Sequence, residues 1–313
     1  MSQVNYIRAE LHNHSTESDG KLSIKELVHY AESQAFEVLA VTDHNTVSGQ
    51  DKAMQEARNR ALDILPGVEI TTFYGHILAL GLRHMIDFAD MDPKYPEELV
   101  RKLKAAGARA VGCAHPFCIG EPIMKGCRLA MEFRYPEVLD YIEVFNTSAG
   151  DLFSGNEFAL NWWEELVLQG IRIAATTGID LHTIPENKDV FTTYAIVKDS
   201  ERGVGQSDAE VVLEHICQQK TMVSKGPLFC SEYQNGEIHV TLAQPGTDGM
   251  LLQLKEDTGA ETVVPMDGRS EITICTDYGM KSAVIKLYDK KVDFTHLLAV
   301  GAPIYADGHL EGA

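Results

Sequence analysis

The chain has 313 residues, with 46 Asp and Glu against 27 Lys and Arg and a formal net charge of −19. That balance argues against a broad surface for polymeric nucleic acid or anionic membrane, because both depend on Lys and Arg neutralising phosphates. A small anionic substrate held by metal ions remains open, and a hydrophobic fraction of 44% suffices for a sizeable core in a chain whose length suggests about two domains.

Residues 1–8 carry neither a basic n-region nor a long apolar stretch, and no run is long enough to span a bilayer, so a cytoplasmic location without membrane contact is expected. The first strand is predicted to end near Leu11, immediately before His12-Asn13-His14. Alternate side chains on a strand point the same way, so this pair aims two imidazoles at one point. A turn at Asp19-Gly20 leads into a helix over residues 23–36, whose Ser23-Ile24-Lys25-Glu26 start is a capping-box signature. A second strand ends near Val41 and is followed by Thr42-Asp43-His44-Asn45, and a helix is read over 48–62. Third and fourth strands end near Glu69 and Leu82, with His76 in the fourth.

Pro96 opens a helix that runs to residue 106 and closes at Gly107. Strands ending near Ala114 and Phe145 place His115 and Asn146 just beyond them, and a helix over 158–169 closes at Gly170. One of its two tryptophans, Trp162 or Trp163, is expected to face the core or an interface. The apolar run 171–179 ends in Asp180-Leu181-His182, a second i,i+2 pair, and residues 208–219 form one more amphipathic helix. This alternation argues for parallel βα units, and about seven strands with polar residues at their C-terminal ends describe an α/β fold, a TIM-type barrel or a distorted relative. After Lys225-Gly226-Pro227 the texture changes to short β-rich runs at 238–242, 271–275 and 283–288. Two domains are therefore expected, a barrel over 1–224 and a small β-sandwich-like unit over 225–313.

Nine residues stand out as metal ligands: His12, His14, Asp19, His44, Glu69, His76, His115, Asp180 and His182. Singly, a strand-end His is usually a structural hydrogen-bonding residue and Asp-Gly an ordinary turn. Jointly, two i,i+2 pairs and a set of strand ends converge as a site does. Imidazole mixed with carboxylate suits zinc, iron or manganese. The set exceeds what one ion uses, which implies two or three. His29 and His215 lie in helical patterns, and His239, His296 and His309 fall in the β-rich region as bystanders. The six cysteines contain no Cys-x-x-Cys pair and read as free thiols. Cys113, Cys118 and Cys127, around His115, read as packing residues.

The segments Glu10-Leu11-His12-Asn13-His14-Ser15 with Ser18-Asp19-Gly20, Thr42-Asp43-His44-Asn45, Gly67-Val68-Glu69 and Gly178-Ile179-Asp180-Leu181-His182 resemble, in order, the motifs of the PHP (polymerase and histidinol phosphatase) metallohydrolases over roughly residues 8–185. The resemblance implies a distorted (βα)7 barrel. It also implies one ion on His12, His14, Glu69 and Asp180, a second on His76 and His115 bridged by Glu69, and a third on Asp19, His44 and His182. Asp19 stands where several members carry His. The C-terminal segments 225–229 and 301–308 are similar to the β-rich extension of a subgroup with carbamate-cleaving members, the CehA/McbA-like group.

The expected activity is hydrolysis of a small phosphomonoester or phosphodiester by a metal-bridging hydroxide, with Glu69, Asp180 and His182 as catalytic members. Lys125 and Arg128, in the loop 120–129, are candidate cations for the phosphoryl oxygens, set against an ordinary reading as solvated loop charges. Asn146 could orient a ligand, bind substrate or cap a turn. The same centre would serve a carbamate, ester or amide carbonyl, and a metal-stabilised binding module without turnover is the reading from another class.

Overall fold

The structure, a computed structural model, describes residues 4–120, 122–148, 150, 152–184 and 190–306. His309, Asp307 and Gly308, which figured in the expectations above, lie outside the described residues. The strands and helices run β1 (Val4–Glu10), α1 (Ile24–Ser33), β2 (Val38–Val41), α2 (Gln50–Ala57), β3 (Asp63–Thr72), β4 (Gly75–Leu80), α3 (Pro96–Ala105), β5 (Ala110–Cys113), β6 (Tyr141–Asn146), α4 (Ser154–Leu168), β7 (Ala174–Gly178), β8 (Thr192–Lys198), α5 (Asp208–Cys217) and β9 (Thr221–Ser224). The predicted helix starts hold where capping chemistry marks them. Ser23 Oγ accepts from Glu26 N while the Glu26 carboxylate reaches back to Ser23, and Ser207 with Glu210 repeats the device on α5. Helix α4 begins four residues before the expected start at Phe158.

A mixed α/β sheet carries the site. Its parallel parts are β1-β2-β3 and β5-β6-β7, with β4 antiparallel to both β3 and β5. The reversal at β4 departs from the expected uniform βα alternation because only Phe73 and Tyr74 separate β3 from β4, and a parallel crossover needs a dozen residues or more. Gly75, with φ +128°, makes that turn possible. The sheet is not closed into a barrel. Its ladder continues from β1 through antiparallel β8 and β9 instead of returning to β7. Strand β7 ends the ladder, touching its neighbours through Thr177 N to Thr193 Oγ1 (2.8 Å), Thr221 Oγ1 to Ala175 O (2.9 Å) and the single bridge Asn13–Leu181. Strands β8 and β9, of seven and four residues, were not foreseen.

Trp163, fully buried, faces the core and donates from Nε1 to Ile173 O at 3.0 Å, whereas Trp162 is only partly buried. The C-terminal part is sheet-rich, as its sequence texture indicated. It comprises β10 (Phe229–Gln234), β11 (Glu237–Leu242), β12 (Met250–Glu256), β13 (Glu261–Pro265), β14 (Glu271–Cys275), β15 (Ser282–Asp289), β16 (Leu297–Val300) and β17 (Ile304–Tyr305). Strands β10, β11 and β14 form a three-stranded sheet whose Phe229, Ile238 and Val240 share a core with Leu252, Leu254, Ile285 and Leu287. Strands β12, β13, β15 and β16 extend the large sheet, because β16 pairs with β9 across the 224/225 junction. Glu164 on α4, paired with Lys255 at 2.8 Å and with buried Lys286, fastens this wing to the helix layer.

Candidate metal centre

The nine expected ligands gather at one end of the sheet. In β3, Val68 and Ile70 enter the apolar core while Glu69, on the opposite face, is completely buried. Its carboxylate sits among five imidazoles. Oε2 lies 3.2 Å from His12 Nε2, 3.3 Å from His14 Nε2 and 2.8 Å from His44 Nδ1. Oε1 lies 2.8 Å from His76 Nδ1 and 3.2 Å from His115 Nε2. The β4 reversal is what brings His76 here, since Thr71 and His76 pair across the turn. Asp180 Oδ1 lies 3.0 Å from His14 Nε2 and 3.5 Å from His12 Nε2.

Outward from this buried core, Asp19 Oδ1 stands 3.5 Å from His44 Nε2 and 3.2 Å from His182 Nε2. The loop that returns Asp19 is built on Asp43, whose carboxylate accepts from Ser15 N, Ser15 Oγ and Ser18 Oγ. Gly20 is required there: a Cβ would stand 2.4 Å from His14 O. Backbone strain marks two of the ligand positions, His115 at φ 28° and Asp180 at φ 52°. Such conformations cost on the order of 1–3 kcal/mol and persist where the surroundings enforce them.

Three overlapping sets have ligating atoms within 4.8 Å of one another: His12, His14, Glu69 and Asp180; His14, Asp19, His44 and His182; and His44, Glu69 and His76. The first coincides with the expected first site. The second adds His14 to the expected third site, and His115 joins through Glu69 while standing outside the three sets. The donor atoms also fit a cation on their own terms. His12 Nε2, both nitrogens of His14 and Glu69 Oε2 are buried without a hydrogen-bond partner, a costly state that coordination to an ion would relieve.

Electrostatics points the same way. Burial opposes ionisation of Glu69, yet the imidazoles of His12 and His76 hold its carboxyl well below the usual range. Burial likewise works against charge on His12, and the carboxylates of Glu69, Glu143 and Asp180 outweigh it and raise its pKa well above the ordinary imidazole value. His115 is raised to about 9 against the same burial, mainly by Glu69. His14, for which burial dominates, is lowered. The pocket therefore concentrates negative charge around nitrogen donors, the electrostatics of a cation site.

Of the expected substrate contacts, Asn146 belongs to the cluster: its Nδ2 donates to Asp180 Oδ2 at 3.1 Å. Lys125 and Arg128 lie exposed on the loop beyond β5, Lys125 Nζ 4.2 Å above the Phe73 ring and Arg128 with its methylenes against Gly120. Neither belongs to the buried cluster. Two carboxylates were missed. Glu143, mid-strand in β6, has Oε2 2.7 Å from His12 Nδ1. Glu10 Oε1 accepts from His12 N (3.1 Å) and Ile179 N (2.9 Å), tying the two ligand pairs together, and burial pushes its pKa up to about 8. An acidic residue within the apolar run of β6 was the available signal for Glu143.

Residues 10–105, which include six of the nine ligands, match the PHP domain family. An uncharacterized protein of Methanocaldococcus jannaschii is 32% identical over 168 residues, 50% of this chain and 90% of that one. The chain belongs to the PHP family. A 5′-3′ exoribonuclease of Haemophilus influenzae is 49% identical over 63 residues, 20% of this chain and 23% of its own length. A 3′,5′-nucleoside bisphosphate phosphatase of Chromobacterium violaceum is 38% identical over 77 residues, 23% and 27% of the two chains. This PHP chain thus spans less than a third of either enzyme. Among solved structures, a two-domain protein from Bacteroides vulgatus containing a PHP-like metal-dependent phosphoesterase superposes with a TM-score of 0.56 at 16% identity, covering 96% of each chain. That similarity concerns the fold.

Proposed function

We propose that this PHP protein is a metal-dependent hydrolase of small phosphoesters, a phosphomonoester or a small phosphodiester. The observation that carries the reading is Glu69, one buried carboxylate whose two oxygens face five imidazoles, several with unsatisfied nitrogens. His12, His14, Glu69 and Asp180 would hold one divalent ion, Glu69 with His76 and His115 a second, and Asp19, His44 and His182 a third, with manganese, iron or zinc suited to the mixed donors. Such ions supply a hydroxide at neutral pH and neutralise charge on phosphoryl oxygens. The chain's own part is to fix the geometry. Glu69 and Asp180 set the spacing, Asn146 steadies Asp180, and exposed Asp19 with half-buried His182 leaves the outer side open to a substrate. Residues 225–313 would form an accessory β-rich domain that contributes no ligand.

The small-substrate preference rests on the net charge of −19, which repels a long polyanion, and the bisphosphate phosphatase among the relatives agrees with it. The exoribonuclease relatives favour a second reading, hydrolysis at an RNA end. A carbamate or ester carbonyl remains the alternative chemistry, since Lewis-acid activation serves carbon and phosphorus alike. Rates for a nucleoside monophosphate, a nucleoside bisphosphate, an oligoribonucleotide and a naphthyl carbamate at matched metal loading decide among them. Faster oligonucleotide cleavage would overturn the small-substrate reading, and carbamate turnover without phosphoester turnover would replace it.

A further inference from the structure

We propose that Glu143 is the positioning residue for His12, holding the Nδ1–H of that imidazole so that Nε2 is presented to the cation site. This rests on the metal reading above. Three features of the fold converge on the contact. The strand β6 shifts register against β7 between Glu143 and Phe145, an irregularity of the kind that re-aims a side chain beside an active site. Glu143 Oε2 reaches His12 Nδ1 at 2.7 Å with both side chains excluded from solvent. Gly178 on β7 leaves the room for it: a Cβ there would stand 2.3 Å from His12 Cβ and 3.2 Å from Glu143 Oε2.

Stability does not account for this carboxylate. Its other oxygen, Oε1, is buried with no hydrogen-bond partner, a penalty that a Gln or Met of similar size would reduce. Ligand geometry does account for it. A neutral imidazole binds a cation through one nitrogen, and which one is free is set by the hydrogen bond that the other makes. Donation from Nδ1 to Glu143 leaves the Nε2 lone pair directed at Glu69 Oε2 and Asp180 Oδ1, at 3.2 and 3.5 Å. A negative partner also raises the basicity of the imidazole as a ligand.

The test titrates chelator-stripped full-length protein with Zn2+ by calorimetry and reads the His12 ring nitrogens by long-range 1H–15N NMR in the zinc-loaded state. Glu143→Gln keeps the size and Glu143→Met fills the space without an acceptor; thermal unfolding of the metal-free variants checks that both are folded. In Glu143→Gln one zinc equivalent is expected to weaken by about 10–100-fold while the remainder hold. Glu143→Met should weaken the same equivalent at least as far, and the hydrogen-bonded Nδ1–H signal of His12 should be lost or shifted. Unchanged affinity at every equivalent in Glu143→Gln, or an unshifted His12 signal in Glu143→Met, overturns the assignment. Absence of zinc binding in the unmodified protein is a separate result and defeats the metal reading itself.

Discussion

Glu69→Gln removes one charge and one ligating oxygen while keeping the shape of the side chain. Oε2 faces three imidazole nitrogens within 3.3 Å and Oε1 faces two within 3.2 Å. A glutamine presents an NH2 to one of these groups whichever way the amide turns, and that nitrogen has no lone pair to offer an ion. At an effective dielectric near 20, a unit charge about 4 Å from another contributes roughly 4 kcal/mol. Losing that attraction corresponds to about a thousandfold; rearrangement of the site would recover part of it. Turnover on bis-p-nitrophenyl phosphate and p-nitrophenyl phosphate, measured with manganese in excess, should therefore fall at least about a hundredfold. The fold should survive, since removing a fully buried charge also removes its desolvation cost. Circular dichroism and the melting temperature of the metal-free variant check that point. Retention of more than about a tenth of the activity, a loss under ~1.4 kcal/mol on the transition-state scale, would refute the bridging role.

Elemental analysis of protein reconstituted with manganese, iron or zinc should find two or three equivalents, and chelation should lower the melting temperature, because a ligand that binds only the native state stabilises it; one ion at full occupancy would defeat the multinuclear reading. Replacing His239 and His296 together with His309 should leave metal content unchanged, since His239 bonds Thr273 and His296 bonds Asp293 locally; a lost ion would place part of the centre in the C-terminal region. Glu164→Gln leaves Lys286 buried beside an uncharged partner and should cost about 3–5 kcal/mol, which for 313 residues corresponds to roughly 5 °C or more in melting temperature at about 2.1 cal/mol/K per residue. Burial opposes ionisation of Glu164, but Lys286 and Lys255 hold its pKa below the usual carboxylate range. Its stabilisation is thus complete above the unfolded pKa near 4.3 and fades as pH falls through the lower folded value. The gap in melting temperature between wild type and variant should accordingly narrow below about pH 4; a gap constant down to pH 3 would contradict the ion-pair account.

Local chemistry determined much of this protein before any fold was considered. The i,i+2 pair His12/His14 enters one ligand set just beyond β1, and Ser23 with Glu26 announces a helix start through hydrogen bonds that span three residues; Asp180, at φ 52° beyond the end of β7, joins that same set while His182 joins the outer one. Those signals lie within a few positions of each other, so the sequence displays them. That five imidazoles meet on Glu69 was legible only as a likeness to known motifs, since His115 is 46 residues from its partner and no local rule connects them. Tertiary structure alone decided the rest. The sheet runs on into β8 and β9 and out to the C-terminal strands because backbone pairing depends on which edges meet in space. Glu143 met His12 across 131 residues, through a bulge in β6 and the missing side chain of Gly178. In the sequence it is one acidic residue in an apolar strand, and only packing distinguishes an imidazole's partner from a buried charge without one.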